Sequence, residues 1–204
     1  MELLYVHDPM CSWCWGYKPT FDRLVKQLPD EVKLVVLMGG LAPDNDQPMP
    51  LEMQQNLKNI WVRIEQQLGT QFNYDFWTQC QPVRTTYSAC RAVIAAGKQG
   101  KYLEMIEAIQ HAYYLRAMEP HTQKTHLILA EELDLNVSQF HADLVSDGVD
   151  QEFAAQRQYC RQIGANSYPT LLVRDDNMQV HPVAFSYTDE QVTLNDLVRL
   201  SHEL

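Results

Sequence analysis

Cys11 and Cys14, with Ser12 and Trp13 between them, are the residues whose types and spacing best fit a chemical role. They follow a short apolar run, Leu3 to His7, that predicts a strand. They precede a segment in which Phe21, Leu24, Val25 and Leu28 recur at helical spacing, up to Pro29. Two cysteines three residues apart on a first helical turn lie on one side within disulfide reach, whereas mid-strand they would face opposite ways. The unpaired N–H groups and partial positive charge of a helix start stabilise a thiolate on the first cysteine. That pattern predicts an attacking, readily displaced sulfur at Cys11 and a resolving thiol at Cys14.

The remaining candidates carry weaker signals. A zinc site needs four ligands, and none assembles: there is no second Cys-x-x-Cys, Cys80 and Cys90 are ten apart, and His121 and His126 lie far from the Cys pair. No metal is expected. Cys90, beside Ala89 and Val93, predicts a small core residue, and Cys80 and Cys160 predict buried, inert thiols. Asp8 could accept a proton near the thiols, although Asp8-Pro9 also suits a turn. Lys18 could add positive potential or simply be solvated. Trp13 and Trp15 could offer an apolar docking surface or ordinary packing.

These residues must be positioned by a chain that alternates in character. Val32 to Leu37 is a nearly continuous apolar run rich in β-branched valine, predicting a strand buried on both faces, and Gly39-Gly40 with Pro43 to Pro50 predicts a loop. From 51 to 146 only helical stripes occur. Leu57, Ile60, Trp61, Ile64 and Leu68 form one, closed by Gly69; Tyr87, Cys90 and Ile94 form another, and Tyr102, Met105, Ile106 and Ile109 a third. Segments 121–133 and 137–145 predict two shorter helices. Beyond them come a helix from Gln151 to Ile163, a strand from Thr170 to Val173 opened by Pro169, a hairpin partner from Gln179 to Phe185, and a last helix after Thr188-Asp189-Glu190-Gln191, which matches a capping box.

With 204 residues and 46% hydrophobic content, the chain can bury a real core without disulfide staples. A net charge of -10 argues against nucleic acid or an anionic membrane as the main partner. No stretch approaches 18 apolar residues, so no membrane span is expected. The opening residues Met1 to Asp8 lack the basic start, apolar run and small-residue cleavage site of a signal peptide, which makes the cytoplasm the expected location. Five cysteines with one close pair do not form a secreted disulfide framework. The sequence leaves the oligomeric state open.

Cys11-Ser12-Trp13-Cys14-Trp15-Gly16, Pro19 five residues after the second cysteine, and Ser167-Tyr168-Pro169-Thr170 together make the chain resemble the DsbA-like branch of the thioredoxin superfamily. The resemblance spans essentially the whole chain. It implies an α/β, thioredoxin-like fold over 1–50 and 147–204, interrupted by an all-helical insertion over 51–146. It also implies a cis proline at 169, and substrate held by Trp13, Tyr168, Pro169 and Thr170. The implied activity is thiol–disulfide oxidoreduction or disulfide isomerisation through a reversible Cys11–Cys14 disulfide. Protein thiols or disulfides and small thiols would be the partners, with no dissociable cofactor and with glutathione as a conceivable co-substrate. The sequence departs from the family at Ser12-Trp13, which is neither Gly-Pro nor Pro-His, and at Tyr168, which is bulkier than the usual Val, Ile or Thr. Two other functions stay open: a glutathione-dependent transferase or isomerase of the kappa or hydroxychromene-carboxylate type, which resembles this architecture but uses a serine nucleophile, and a non-catalytic binding module with a structural Cys pair.

Overall fold

The computed structural model describes residues 1–204. Its sheet begins with β1 (Glu2–His7), crosses over through α1 (Ser12–Lys26) and returns parallel as β2 (Lys33–Met38). A parallel neighbour requires such a crossover, and the amphipathic run from Phe21 to Leu28 supplies it. The sheet is completed far along the chain by β3 (Thr170–Arg174) and β4 (Val180–Pro182), both antiparallel to their neighbours, in the order β2-β1-β3-β4.

Alternation along β1 sends Leu3 and Tyr5 to one face. There they pack with Tyr17 and Leu24 of α1 and with Leu194, Leu197 and Leu200 of α9 (Gln191–Glu203). Val6 points to the opposite face and joins Cys160 of α8 (Asp147–Gln162) and Ala165. The sheet is therefore covered by helices on both sides.

Between β2 and α8 the chain is helical: α2 (Leu51–Leu68), α3 (Phe76–Gln79), α4 (Tyr87–Gly97), α5 (Tyr102–Tyr114), α6 (Gln123–Glu132) and α7 (Val137–Leu144). The expected stripes face inward. Trp61 and Ile64 of α2 are fully buried, and Gly69 closes that helix with a φ of 69°, a left-handed conformation that glycine adopts without a side-chain penalty. The buried alanines of α4, Ala89, Ala92, Ala95 and Ala96, let α5, α7 and α8 close around it over Met105, Ile109, Phe140 and Val149. A second, aromatic cluster joins this insertion to α1: Trp15 packs with Trp61, Phe72, Phe76, Trp77, Tyr113 and Tyr114. No helix is long and apolar enough to cross a membrane.

Four expectations fail in detail. The apolar run at β2 is not buried on both faces, because β2 is an edge strand: Lys33 is exposed and Leu34 to Val36 are only half-buried. The helix expected from Gln151 begins at Asp147, since Ser146 caps it by accepting from the Val149 N–H at 3.3 Å. The capping box before α9 does not form; Glu190 is the N-cap without a side-chain cap, and the Gln191 N–H goes to Asp189 at 2.9 Å. The hairpin strand expected over 179–185 has only three paired residues, and the short helix α3 had no periodicity to reveal it.

Two histidines are buried deep in this framework. His7, stacked on Tyr5 with ring centroids 5.1 Å apart, has neither ring nitrogen hydrogen-bonded, and burial lowers its pKa to about 3. Burial likewise lowers His126 to about 4, against a partial offset from its 2.8 Å bond to the Pro120 carbonyl. In the unfolded chain both imidazoles take up a proton near pH 6.5, so over the interval below that value the unfolded state binds more protons. Stability is therefore fully present above about pH 6.5 and is lost as the pH falls, by up to about 1.4 kcal/mol per pH unit for each histidine. Urea midpoints measured from pH 7 to 4 should fall accordingly, and His7→Phe should flatten that slope.

Candidate active site

The turn that delivers Cys11 is held by one carboxylate. Asp8 directly follows β1 and is fully buried, with Oδ1 accepting from the Met10 N–H at 2.8 Å. Its Oδ2 accepts from the Leu41 N–H at 2.7 Å, the Thr86 hydroxyl at 2.6 Å and the Cys90 thiol at 3.6 Å. Burial raises the Asp8 pKa against these donors, which favour the charged form. The Asp8 carbonyl accepts from the Cys11 N–H at 3.0 Å, which sets Cys11 as the N-cap residue of α1 in an extended conformation.

From that position Cys11 is 7% exposed and Cys14, one turn along, is fully buried; both are free thiols. The Cys11 thiol donates toward the Tyr168 carbonyl at 3.5 Å. Its pKa is lowered first by a hydrogen bond from Cys14 and further by the backbone N–H groups of Cys14 and Trp13, against burial and the Asp8 charge. Cys14 is pushed well above the ordinary thiol range, first by burial and then by its donation to Cys11. Two identical side chains thus take opposite roles: an ionisable sulfur at the surface end and a protonated one behind it.

Tyr168, brought by the segment before β3, is joined to Pro169 by a cis peptide bond, as the resemblance implied. Tyr168 and Cys11 line a cavity of about 330 Å³ together with Trp13 and, from the insertion, Leu57, Ile60 and Arg84. Trp13 is half-buried and meets Tyr187 edge to face at 5.2 Å. Pro169 is buried behind Tyr168, and Thr170 donates its hydroxyl to the Ser167 carbonyl at 2.6 Å; neither lines the cavity. The four residues expected to hold substrate therefore divide into two that reach the cavity and two that support it.

Trp15 packs as core, its ring 5.6 Å from Tyr114 and its indole N–H bonded to the Gln71 carbonyl at 3.0 Å. Lys18 is not free potential: its ammonium lies 2.8 Å from Asp22 and 3.4 Å from Glu107. Cys90 and Cys160 are buried, while Cys80 is half-buried and donates to the Ala117 carbonyl at 2.9 Å. No cluster of three or more His, Cys, Asp or Glu side chains is arranged to hold a metal ion. Ser12 has a role that spacing alone does not reveal: its hydroxyl accepts from the Trp61 indole N–H at 3.0 Å, tying α1 to the insertion beside the thiols. Arg84, too, stands outside every periodic pattern, in the stretch between α3 and α4.

A family model described as thioredoxin matches residues 4–192, and the chain belongs to the thioredoxin family. A structure from Nitrosomonas europaea, described provisionally as a protein disulfide isomerase, superposes with a TM-score of 0.86 at 23% identity, covering 99% of this chain and 98% of that one. The cytosolic disulfide reductase DsbM from Pseudomonas aeruginosa does so with a TM-score of 0.81 at 22% identity, covering 99% and 100%. These likenesses establish the DsbA-type fold, a thioredoxin-like domain with a helical insertion. Among curated proteins, the ClpXP adapter protein SpxH of Halalkalibacterium halodurans is 21% identical over 184 residues, 87% of this chain; the chain spans 60% of that relative's length.

The arrangement sets an order of reactivity. On the native protein, iodoacetamide should modify Cys11 before any other cysteine, with a pH midpoint below the free-thiol value of about 8.5. Asp8→Asn removes the negative charge that opposes the Cys11 thiolate, so that midpoint should move to lower pH. Mass spectrometry of the alkylated peptides reads both outcomes.

Proposed function

We propose that this protein is a thiol–disulfide oxidoreductase that works through a reversible Cys11–Cys14 disulfide. The observation that carries the reading is the asymmetry of the two thiols: Cys11 lowered at the helix start and facing the cavity, Cys14 raised and buried one turn behind it. Membership of the thioredoxin family supports it, as do the disulfide-active proteins among the structures of like fold.

In the forward direction the Cys11 thiolate attacks one sulfur of a substrate disulfide. A mixed disulfide forms, and the other substrate sulfur leaves as a thiolate that takes up a proton. Cys14 then loses its proton and attacks Cys11 Sγ, which expels the second substrate thiolate and closes the Cys11–Cys14 disulfide. Two electrons have passed from the dithiol to the substrate. A low-molecular-weight thiol restores the dithiol by the same steps in reverse, two thiols becoming one disulfide. Glutathione suits that role, and DsbM of like fold has been crystallised with it. Protein disulfides are further substrates in this reading, the cytoplasm is its setting, and no resident cofactor is needed.

The SpxH relative is named as an adapter, which favours a second reading: a binding module whose Cys pair is not turned over. The transferase and isomerase alternative has less support, because a cysteine stands where those enzymes use serine.

Cys14→Ser separates the readings. An oxidoreductase without its resolving thiol should accumulate a stable mixed disulfide at Cys11 with glutathione, visible as a mass increase that dithiothreitol removes, and should lose catalysed disulfide reduction. Full catalytic activity in Cys14→Ser would overturn the proposal. Absence of both adduct and wild-type turnover would favour the binding module.

A further inference from the structure

We propose that Arg84 makes the Cys11 cavity selective for small thiols and disulfides that carry a carboxylate, an inference that rests on the oxidoreductase reading and names its substrate class. Arg84 is the only charged side chain on the cavity wall. The chain has 26 acidic and 16 basic residues, and its other inward-leaning arginines are engaged: Arg91 with Asp44 and Asp150, and Arg174 with Glu2. Arg157 lies over the Tyr87 ring at 4.0 Å. Arg84 is half-buried and has neither a carboxylate nor a carbonyl partner. A guanidinium offers five donors in a planar fork matched to a carboxylate, and partial burial strengthens such a pair by excluding water.

The location of Arg84 fits a partner that arrives with the substrate. It follows Val83, whose backbone bridges to Pro48, and it precedes Thr85 and Thr86, both buried and the second bonded to Asp8. The backbone on both sides is therefore fixed to the same loop system that positions Cys11. The rest of the wall is uncharged: Met49, Leu57, Ile60 and Trp13 are apolar, and Asn166 and Ser167 add neutral polar groups. A volume of about 330 Å³ lies at the lower end of small-molecule sites, roughly 300–1,000 Å³. A compact thiol with its sulfur at Cys11, an apolar middle and a carboxylate at Arg84 satisfies each wall.

Alkylation of Cys11 tests this without turnover. 3-Maleimidopropionate and its amide add to the same thiolate and differ only in a carboxylate held several bonds from the reacting carbon, so the ratio of their rates at Cys11 cancels changes in thiol pKa. In Arg84→Gln that ratio should fall about tenfold, the loss expected for one charge-assisted pair. Arg84→Lys should recover part of it. With the native protein, raising sodium chloride from 0.05 to 0.5 M should lower the ratio toward the Arg84→Gln value, a readout that needs no variant. An unchanged ratio in folded Arg84→Gln, or a native ratio indifferent to salt, overturns the proposal. Turnover then separates the two claims. With glutathione disulfide against 2-hydroxyethyl disulfide, Arg84→Gln should lower the ratio of kcat/KM values about tenfold. No turnover of either compound alongside an intact alkylation ratio would refute the oxidoreductase and leave the carboxylate site standing.

Discussion

Everything around the two thiols hangs on the buried carboxylate of Asp8. Removing a carboxylate from water is costly, and only a full set of donors makes the charged form tolerable. Those donors come from three directions: the Met10 N–H in its own turn, the Leu41 N–H beyond β2, and the Thr86 hydroxyl just before α4. The same group that ties the thioredoxin framework to the helical insertion therefore also fixes where α1 begins. That start places Cys11 in an extended N-cap conformation, where the backbone N–H groups of Trp13 and Cys14 favour its thiolate. The Asp8 charge opposes the thiolate it helps to position, so the local hydrogen bonds must exceed that repulsion for the Cys11 pKa to be lowered.

How much of this was legible in the sequence follows from the range of the interactions involved. The Cys pair at a strand-to-helix junction is a local pattern, and so are the stripe of α2 and the left-handed stop at Gly69; each needs only a few neighbours to be recognised. Pro169 stands out because it opens an apolar strand. Edge status does not show in a run such as Leu34 to Leu37, since β-branched residues serve an edge strand and a central one alike. The failed capping box before α9 shows a related limit: a four-residue match gives no weight to Ser186 taking the Thr188 N–H and Asp189 taking the Gln191 N–H.

The cavity illustrates the same limit at the site itself. Cys11, Trp13 and Tyr168 could be named from motifs, but the opposite wall is contributed by the insertion, from α2 and from the stretch before α4. Arg84 has no periodic neighbours and no motif around it. What singles it out is a missing partner, which only three-dimensional packing can reveal. Asp8 shows the reverse: the sequence offered a turn residue or a proton acceptor, and the structure makes it a hub joined to Thr86 at a separation of 78 residues.

The strand order has a consequence for how the molecule comes into being. The central strand β1 gains β2 early, yet its other edge is matched by β3, with Val6 opposite Thr170. A ribosome adding about 5–20 residues per second needs on the order of ten seconds to deliver that partner. Through that interval the growing chain carries an open backbone edge beside two reactive sulfurs, while the helical insertion, built from nearby contacts, can condense on its own clock. Delay in translation over the insertion would lengthen the time in which β1 could pair with another chain.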